Sequence, residues 1–214
     1  KTRFSSIFRS NLRISVMNLL KRVALLATCV ALVSVVNAAD KTQNWPAFRG
    51  PGATGVAEGF PVRTAWNADP SSPDQKGVLW RQEVPGLGHS SPVVWGERIF
   101  LCTAISEKGE SQLKLGAGGR PTAADDSGEH RWVVLCYDKS TGEELWRQTA
   151  RRGTPRATRH VKATQANTSI AVDGKRVVAF FGSEGLHCYD LDGELLWRQD
   201  LGVVNISKYG IGWG

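Results

Sequence analysis

Beyond residue 38 the chain alternates short apolar runs with turn residues, and no stretch keeps the 3.6-residue period of an amphipathic helix. Ser91-Pro92-Val93-Val94-Trp95 meets Gly96-Glu97 and then Arg98-Ile99-Phe100-Leu101-Cys102. Two β-rich runs around a two-residue turn predict a hairpin. Ser169-Ile170-Ala171-Val172, the turn Asp173-Gly174, and Arg176 to Phe181 repeat the arrangement. A third run follows each hairpin, Trp132 to Tyr137 and Leu186 to Tyr189, and a fourth run follows each of those. The pattern predicts two four-stranded antiparallel meanders. Their strands are expected over 91–95, 98–105, 131–138 and 143–149, then over 168–172, 176–182, 186–190 and 194–200.

The fourth runs share a signature. Leu79-Trp80-Arg81-Gln82 recurs as Leu145-Trp146-Arg147-Gln148 and as Leu196-Trp197-Arg198-Gln199, each after a turn: Lys76-Gly77, Thr141-Gly142 and Asp192-Gly193. Cys-Tyr-Asp also recurs, at 136–138 and 188–190. One such sheet cannot bury both faces, so stacked copies close on one another. Sheets repeating every roughly 40–50 residues point to an all-β propeller of four-stranded antiparallel blades. Two complete blades are expected, about 91–149 and 168–200, with a leading strand around Trp80. A propeller needs about four blades or more, so the chain reads as a fragment, residues 76–214 forming part of the ring.

Asp138-Lys139-Ser140-Thr141-Gly142-Glu143-Glu144-Leu145-Trp146 resembles the D-x-x-T-G-x-x-x-W tryptophan-docking motif of PQQ-like propeller repeats. That family includes quinoprotein alcohol dehydrogenases and BamB-type outer-membrane assembly lipoproteins. Asp190-Leu191-Asp192-Gly193-Glu194-Leu195-Leu196-Trp197 is similar, one residue shorter and without the Thr. Asn44-Trp45-Pro46-Ala47-Phe48-Arg49-Gly50-Pro51 looks like the opening of exported PQQ-like propellers of planctomycete-type bacteria. The resemblance implies structural docking roles for Trp80, Asp138, Thr141, Gly142, Trp146, Asp190, Gly193 and Trp197. The Asp would accept bonds from the turn's N–H groups, Gly would allow positive φ, and the Trp would join one blade to the next. An exposed, carbohydrate-stacking Trp is the rival role.

Composition changes the picture in one place. The net charge is +7, but residues 1–38 carry six Lys/Arg and no acid, leaving 21 basic against 20 acidic residues beyond. The folded part is near neutral, and a nucleic-acid partner is not expected. Met17, the sole methionine, is followed by Lys21-Arg22, the apolar run Val23–Val36 and Val36-Asn37-Ala38. This is the layout of a secretory signal peptide over 17–38, cut after Ala38, too short for a comfortable span. An uncleaved anchor is the alternative, and Leu26-Ala27-Thr28-Cys29 faintly resembles a lipoprotein box. Residues 1–16 read as a spurious extension of the gene, or else as a basic targeting segment. Residues 39–75 lead into the propeller, and a periplasmic or secreted location follows. Cys102, Cys136 and Cys188 lie in apolar runs, with no C-x-x-C or Cys/His zinc spacing. Cys102 and Cys136 are a disulfide candidate only if they are cross-strand neighbours.

Meander topology places the second-to-third-strand loops and the blade-to-blade loops on one face. Both long insertions, 106–130 and 150–167, belong there, and long loops on a rigid scaffold usually carry function. Gly116-Ala117-Gly118-Gly119 lacks the context of a phosphate loop and reads as linker. Arg151, Arg152, Arg156, Arg159, His160 and Lys162, with His89 and Ser90, form the candidate ligand face, suited to an anionic lipid, glycan or carboxylate, or else merely solvated. No catalytic residue, metal ligand or Ser/His/Asp spacing is identified. PQQ with Ca²⁺ enters only through the family resemblance, and that family's calcium-binding Glu/Asn, catalytic Asp and adjacent Cys pair have no match here. The expected function is a non-catalytic, monomeric interaction scaffold of the periplasm or cell envelope, binding a protein or an envelope polymer. A PQQ/Ca²⁺-dependent dehydrogenase of alcohols or sugars and a glycan-binding module are the alternatives.

Overall fold

The computed structural model describes residues 44–59, 63–74, 76–108, 124 and 126–203. All lie within one compact unit, Gln43–Gly214. The leader, residues 1–16, the Gly116–Gly119 segment and residues 207–214 fall outside the described residues.

Eight strands form two antiparallel sheets, each a simple meander. The first blade holds β1 (Val93–Trp95), β2 (Arg98–Ser106), β3 (His130–Asp138) and β4 (Glu144–Gly153). The second holds β5 (Ala171–Val172), β6 (Val177–Phe180), β7 (Leu186–Tyr189) and β8 (Leu195–Gln199). The described residues include no α-helix, only two short 3₁₀ turns, and no helix among them is long and apolar enough to cross a membrane. The register confirms the repeat. Cys136 pairs with Trp146 in the first blade and Cys188 with Trp197 in the second. Each pair is followed by a register shift, at Cys136/Tyr137 and at Cys188/Tyr189.

Three expectations are corrected. β4 runs on to Gly153, where Gly153 pairs with His130 and Arg152 with Arg131. Arg151 and Arg152 are therefore strand residues, and the connection between blades starts at Thr154. The first strand of the second blade keeps only Ala171–Val172, and the strand after it stops at Phe180, because Gly182–Glu184 turn into a 3₁₀ helix. Residues 78–85 form no strand, since an outer strand is defined by pairing with its own blade's third strand, and no described segment supplies one.

The core lies where the blades face each other. Phe100, Cys102, Ala104, Trp132, Val134 and Cys136 pack with Ala166, Ile170, Val172, Val177, Ala179, Phe181 and Tyr189. The alternate residues Leu101, Val133, Leu135 and Tyr137 form a second cluster on the other side of the first sheet. A strand buried on both faces loses polar alternation, which is why Trp132–Tyr137 reads as a continuous apolar run. The three cysteines are free and buried. Cys102 pairs with Val134 and Cys136 with Phe100, so the two are not direct cross-strand neighbours and the disulfide candidate is withdrawn.

The segment around Trp45 joins both blades. Trp45 and Val94 exchange backbone hydrogen bonds of 2.8 and 2.9 Å, and Val172 N–H donates to Pro46 O at 2.9 Å. Asn44 Oδ1 accepts from Gly96 N–H at 2.8 Å. The opening motif is thus a strap across the first strands of the two sheets.

Candidate functional site

The docking motif can be followed atom by atom. Asp138 Oδ1 accepts from the backbone N–H groups of Ser140 (2.8 Å) and Thr141 (2.9 Å) and from both hydroxyls. Thr141 Oγ1 also accepts from Glu143 N–H at 3.2 Å. In the second blade the turn is one residue shorter, and Asp190 Oδ1 takes N–H bonds directly from Asp192 and Glu194, each at 2.9 Å. The missing Thr is thereby bypassed. These bonds hold the Asp138 carboxyl below its usual range, Ser140 contributing most.

Each turn receives a Trp from the preceding fourth run. Trp80 Nε1–H donates to Lys139 O at 2.9 Å, and Trp146 Nε1–H donates to Leu191 O at 2.9 Å. The indole lies flat against glycine. Gly142 has φ +77°, and a Cβ there would stand 2.5 Å from Trp80 Cδ2. Gly193 has φ +90°, and a Cβ there would stand 2.9 Å from Trp146 Cδ2. Both glycines are thus required twice, for backbone conformation and for close approach. Trp197, the third copy, is 44% exposed, with no turn seated on it among the described residues.

A parallel contact escaped the sequence. Trp95, at the end of β1, lies against Gly174 in the β5–β6 turn, where an added Cβ would overlap the indole. Arg98 donates to Leu191 O and pairs with Asp192 at 2.8 Å. The signal was there in outline: both hairpin turns carry a Gly, and a Trp precedes the first.

The long-loop face is ionic, and its Arg151, Arg152, Arg156 and Arg159 are paired. Glu184, 5% exposed in the β6–β7 turn, faces Arg151 Nε and accepts from Arg156 N–H at 2.7 Å. Arg156 also grips Asp200 with two bonds of 2.8 and 2.9 Å, which with the Gly202 N–H hold that carboxyl down to about 2. Arg152 pairs with Glu129 and, at 2.7 Å, with Glu107. Arg159 is buried, donating to Asp126 Oδ1 at 3.1 Å and Ala163 O at 2.8 Å. Gln165 donates to Asp126 Oδ2 at 2.8 Å, and Trp132 Nε1–H donates to Gln165 O at 3.0 Å. His130 Nε2 stands 3.8 Å from Asp126. The two loop ends are therefore latched together. The segment looks purely basic because its acids come from elsewhere in the chain.

The candidate residues divide between two depressions. His89 and Lys162 line a largely apolar one of about 650 Å³, with Phe48, Asn167 and Ile170. Arg151, Arg152 and Arg156 line a polar cleft of about 570 Å³ between the blades, with Glu184, His187, Arg198 and Asp200. Ser90 and His160 serve locally: Ser90 Oγ accepts from Cys102 N–H at 3.2 Å, and His160 Nδ1 from Lys162 N–H at 3.1 Å. Sequence reasoning missed Glu184, Asp126 and His187, isolated residues in no motif, and placed Arg198 only within the repeated Leu-Trp-Arg-Gln signature.

The described residues do not fit PQQ with Ca²⁺. No group of three or more His, Cys, Asp and Glu among them is arranged to hold a metal, and no two cysteines are adjacent in the sequence. Burial pushes the Cys102 thiol up to about 11 and Cys136 to about 12, so neither is a reactive thiolate near neutrality.

Residues 130–208, from β3 through β8, match the family of PQQ-like repeats described as outer membrane protein assembly factor BamB. No curated protein matches the chain. The match over residues 130–208, together with two meander sheets joined by tryptophan docking, supports a PQQ-like repeat architecture of about two propeller blades.

Proposed function

We propose that the chain is an exported, non-catalytic interaction scaffold of the periplasm or cell envelope, with a protein or envelope polymer as its partner. The observation that carries this is the long-loop face. Its carboxylates Asp126, Glu184 and Asp200 are committed to arginines and its backbone is cross-tied. Such a surface is rigid and pre-organised, which suits recognition more than proton or electron transfer. The likeness to the outer-membrane assembly factor family and the leader over 17–38 support an envelope setting.

Two measurements on the full-length protein test the reading. Fractionation with N-terminal sequencing is expected to recover a periplasmic or secreted product beginning at Ala39. A cytoplasmic product that keeps residues 17–38 would refute export. Reconstitution with PQQ and Ca²⁺ is expected to give no dye-linked alcohol or sugar dehydrogenase activity, and chelator-sensitive activity would overturn the scaffold role.

A further inference from the structure

The polar cleft between the blades has features that the scaffold reading does not use. Its walls are the end of β4 (Thr149 to Arg152), the β6–β7 turn at Glu184, and the paired residues His187 and Arg198 on β7 and β8. Both walls belong to this chain. Its volume of about 570 Å³ lies within the range of about 300–1,000 Å³ usual for small-ligand sites.

Charge and hydrogen bonding say what would fit. Of the four arginines in the cleft, Arg151 faces Glu184, Arg156 grips Asp200, and Arg152 is held by Glu107 and Glu129. Arg198 has no carboxylate partner among the described residues, although it lies in register with buried His187. His187 Nε2–H donates to Glu184 O at 3.1 Å. Its Nδ1 is then an acceptor, and it is buried without a partner. Burial lowers the ring's proton affinity, so the imidazole is neutral near pH 7 and adds no second cation. One uncommitted guanidinium matches one carboxylate, and the neutral imidazole acceptor matches a hydroxyl. Thr149 and Gln199 complete a polar lining.

We propose that the cleft between β4 and β8 binds a sugar carboxylate, a uronic acid or a uronic-acid unit of a polysaccharide, with Arg198 holding the carboxylate and His187 Nδ1 accepting a hydroxyl. Guanidinium pairs with carboxylate through two parallel bonds. A phosphorylated sugar brings about two negative charges, one more than the uncommitted cation balances. The site stands whether or not the scaffold role is right, because its test reads binding alone.

The experiment is calorimetric titration of the full-length protein with glucuronate, glucose, glucose 6-phosphate and oligogalacturonate. Glucuronate is expected to bind at least about tenfold more tightly than glucose or glucose 6-phosphate. Arg198→Gln is expected to remove that preference, with Arg198→Lys restoring part of it. Arg198 is exposed, so unchanged circular dichroism will show that the variants are folded. Binding of oligogalacturonate but not glucuronate assigns the site to the polymer, and the reverse assigns it to the free acid. Equal affinity for glucose and glucuronate, preference for glucose 6-phosphate, or an Arg198→Gln protein that binds glucuronate normally overturns the proposal.

Discussion

The indole N–H of Trp146 donates to the carbonyl of Leu191 at 2.9 Å, joining the outer strand of one blade to the turn of the next. Trp80 makes the same bond to Lys139. The ring also packs on the inter-blade core beside Phe100 and Tyr189, at centroid distances of 5.9 and 6.3 Å. Trp146→Ala is expected to cost about 3 kcal/mol, the usual scale for a large core truncation. Trp146→Phe keeps most of the packing and loses the bond, for about 1 kcal/mol from the hydrogen bond. Urea unfolding of the full-length protein measures both, and equal losses would contradict the split.

The glycine beneath each indole makes a sharper demand. Gly142→Ala places a methyl 2.5 Å from Trp80 Cδ2 at φ +77°. It is expected to destabilise by about 1–3 kcal/mol through strain at that φ and to red-shift the fluorescence of the displaced indole. Gly96 also has a positive φ, but nothing lies within 4 Å of its added Cβ. Gly96→Ala therefore carries the backbone cost alone and is expected to be the milder change.

Glu184 is the buried acid between two arginines, its side chain 1% exposed. Glu184→Gln keeps the shape and leaves Arg151 and Arg156 facing each other. The expected loss is about 3 kcal/mol, at the lower end for breaking a buried pair. Thermal unfolding of the variant checks it, and a loss no larger than that of a surface substitution would show that the pair contributes little.

Acid is expected to loosen the turns and the Arg156 clamp. Asp138 is held low by Ser140 and Thr141, and Asp200 at about 2 by Arg156. A carboxylate with a depressed folded-state pKa stabilises the fold fully above its unfolded value, about 3.9. That contribution is lost as pH falls toward the folded value. The urea midpoint should therefore drop between about pH 4 and pH 2, and Asp200→Asn should flatten that fall.

The thiols are expected to be silent. Cys102 and Cys136, buried and pushed up to about 11 and 12, should resist a thiol reagent at pH 8 in the native protein. They should react promptly in denaturant. Rapid native labelling of either would mean that the inter-blade core opens.

Repetition made the fold legible. The second copy of a motif has its strand position checked by the first, so Trp146 and Trp197 could be placed on equivalent strands without coordinates. The leading run at Trp80 was less legible, because pairing depends on a partner that no local pattern specifies. The candidate site was legible only in part. Arg151, Arg152 and Arg156 stood out as a basic run, but the acids that pair with them are 23 to 45 residues away. Arg198 was read as part of a docking signature, and only its register with His187 turns it toward the cleft.

By itself the sequence determined the strand-and-turn alternation, the number of meanders present, and the chemistry of the docking turns. These are local properties: period-2 burial, glycine at positive φ, and an Asp side chain bonding its own turn. The tertiary structure alone decided which charges cancel and which do not. Ion pairing depends on distances of a few ångströms between residues far apart in the chain, and only the packing of one blade on the next sets those distances. Thus the arginines of the run that looked like an open cationic loop became paired, and among the described residues Arg198 is the arginine of the cleft without a carboxylate partner.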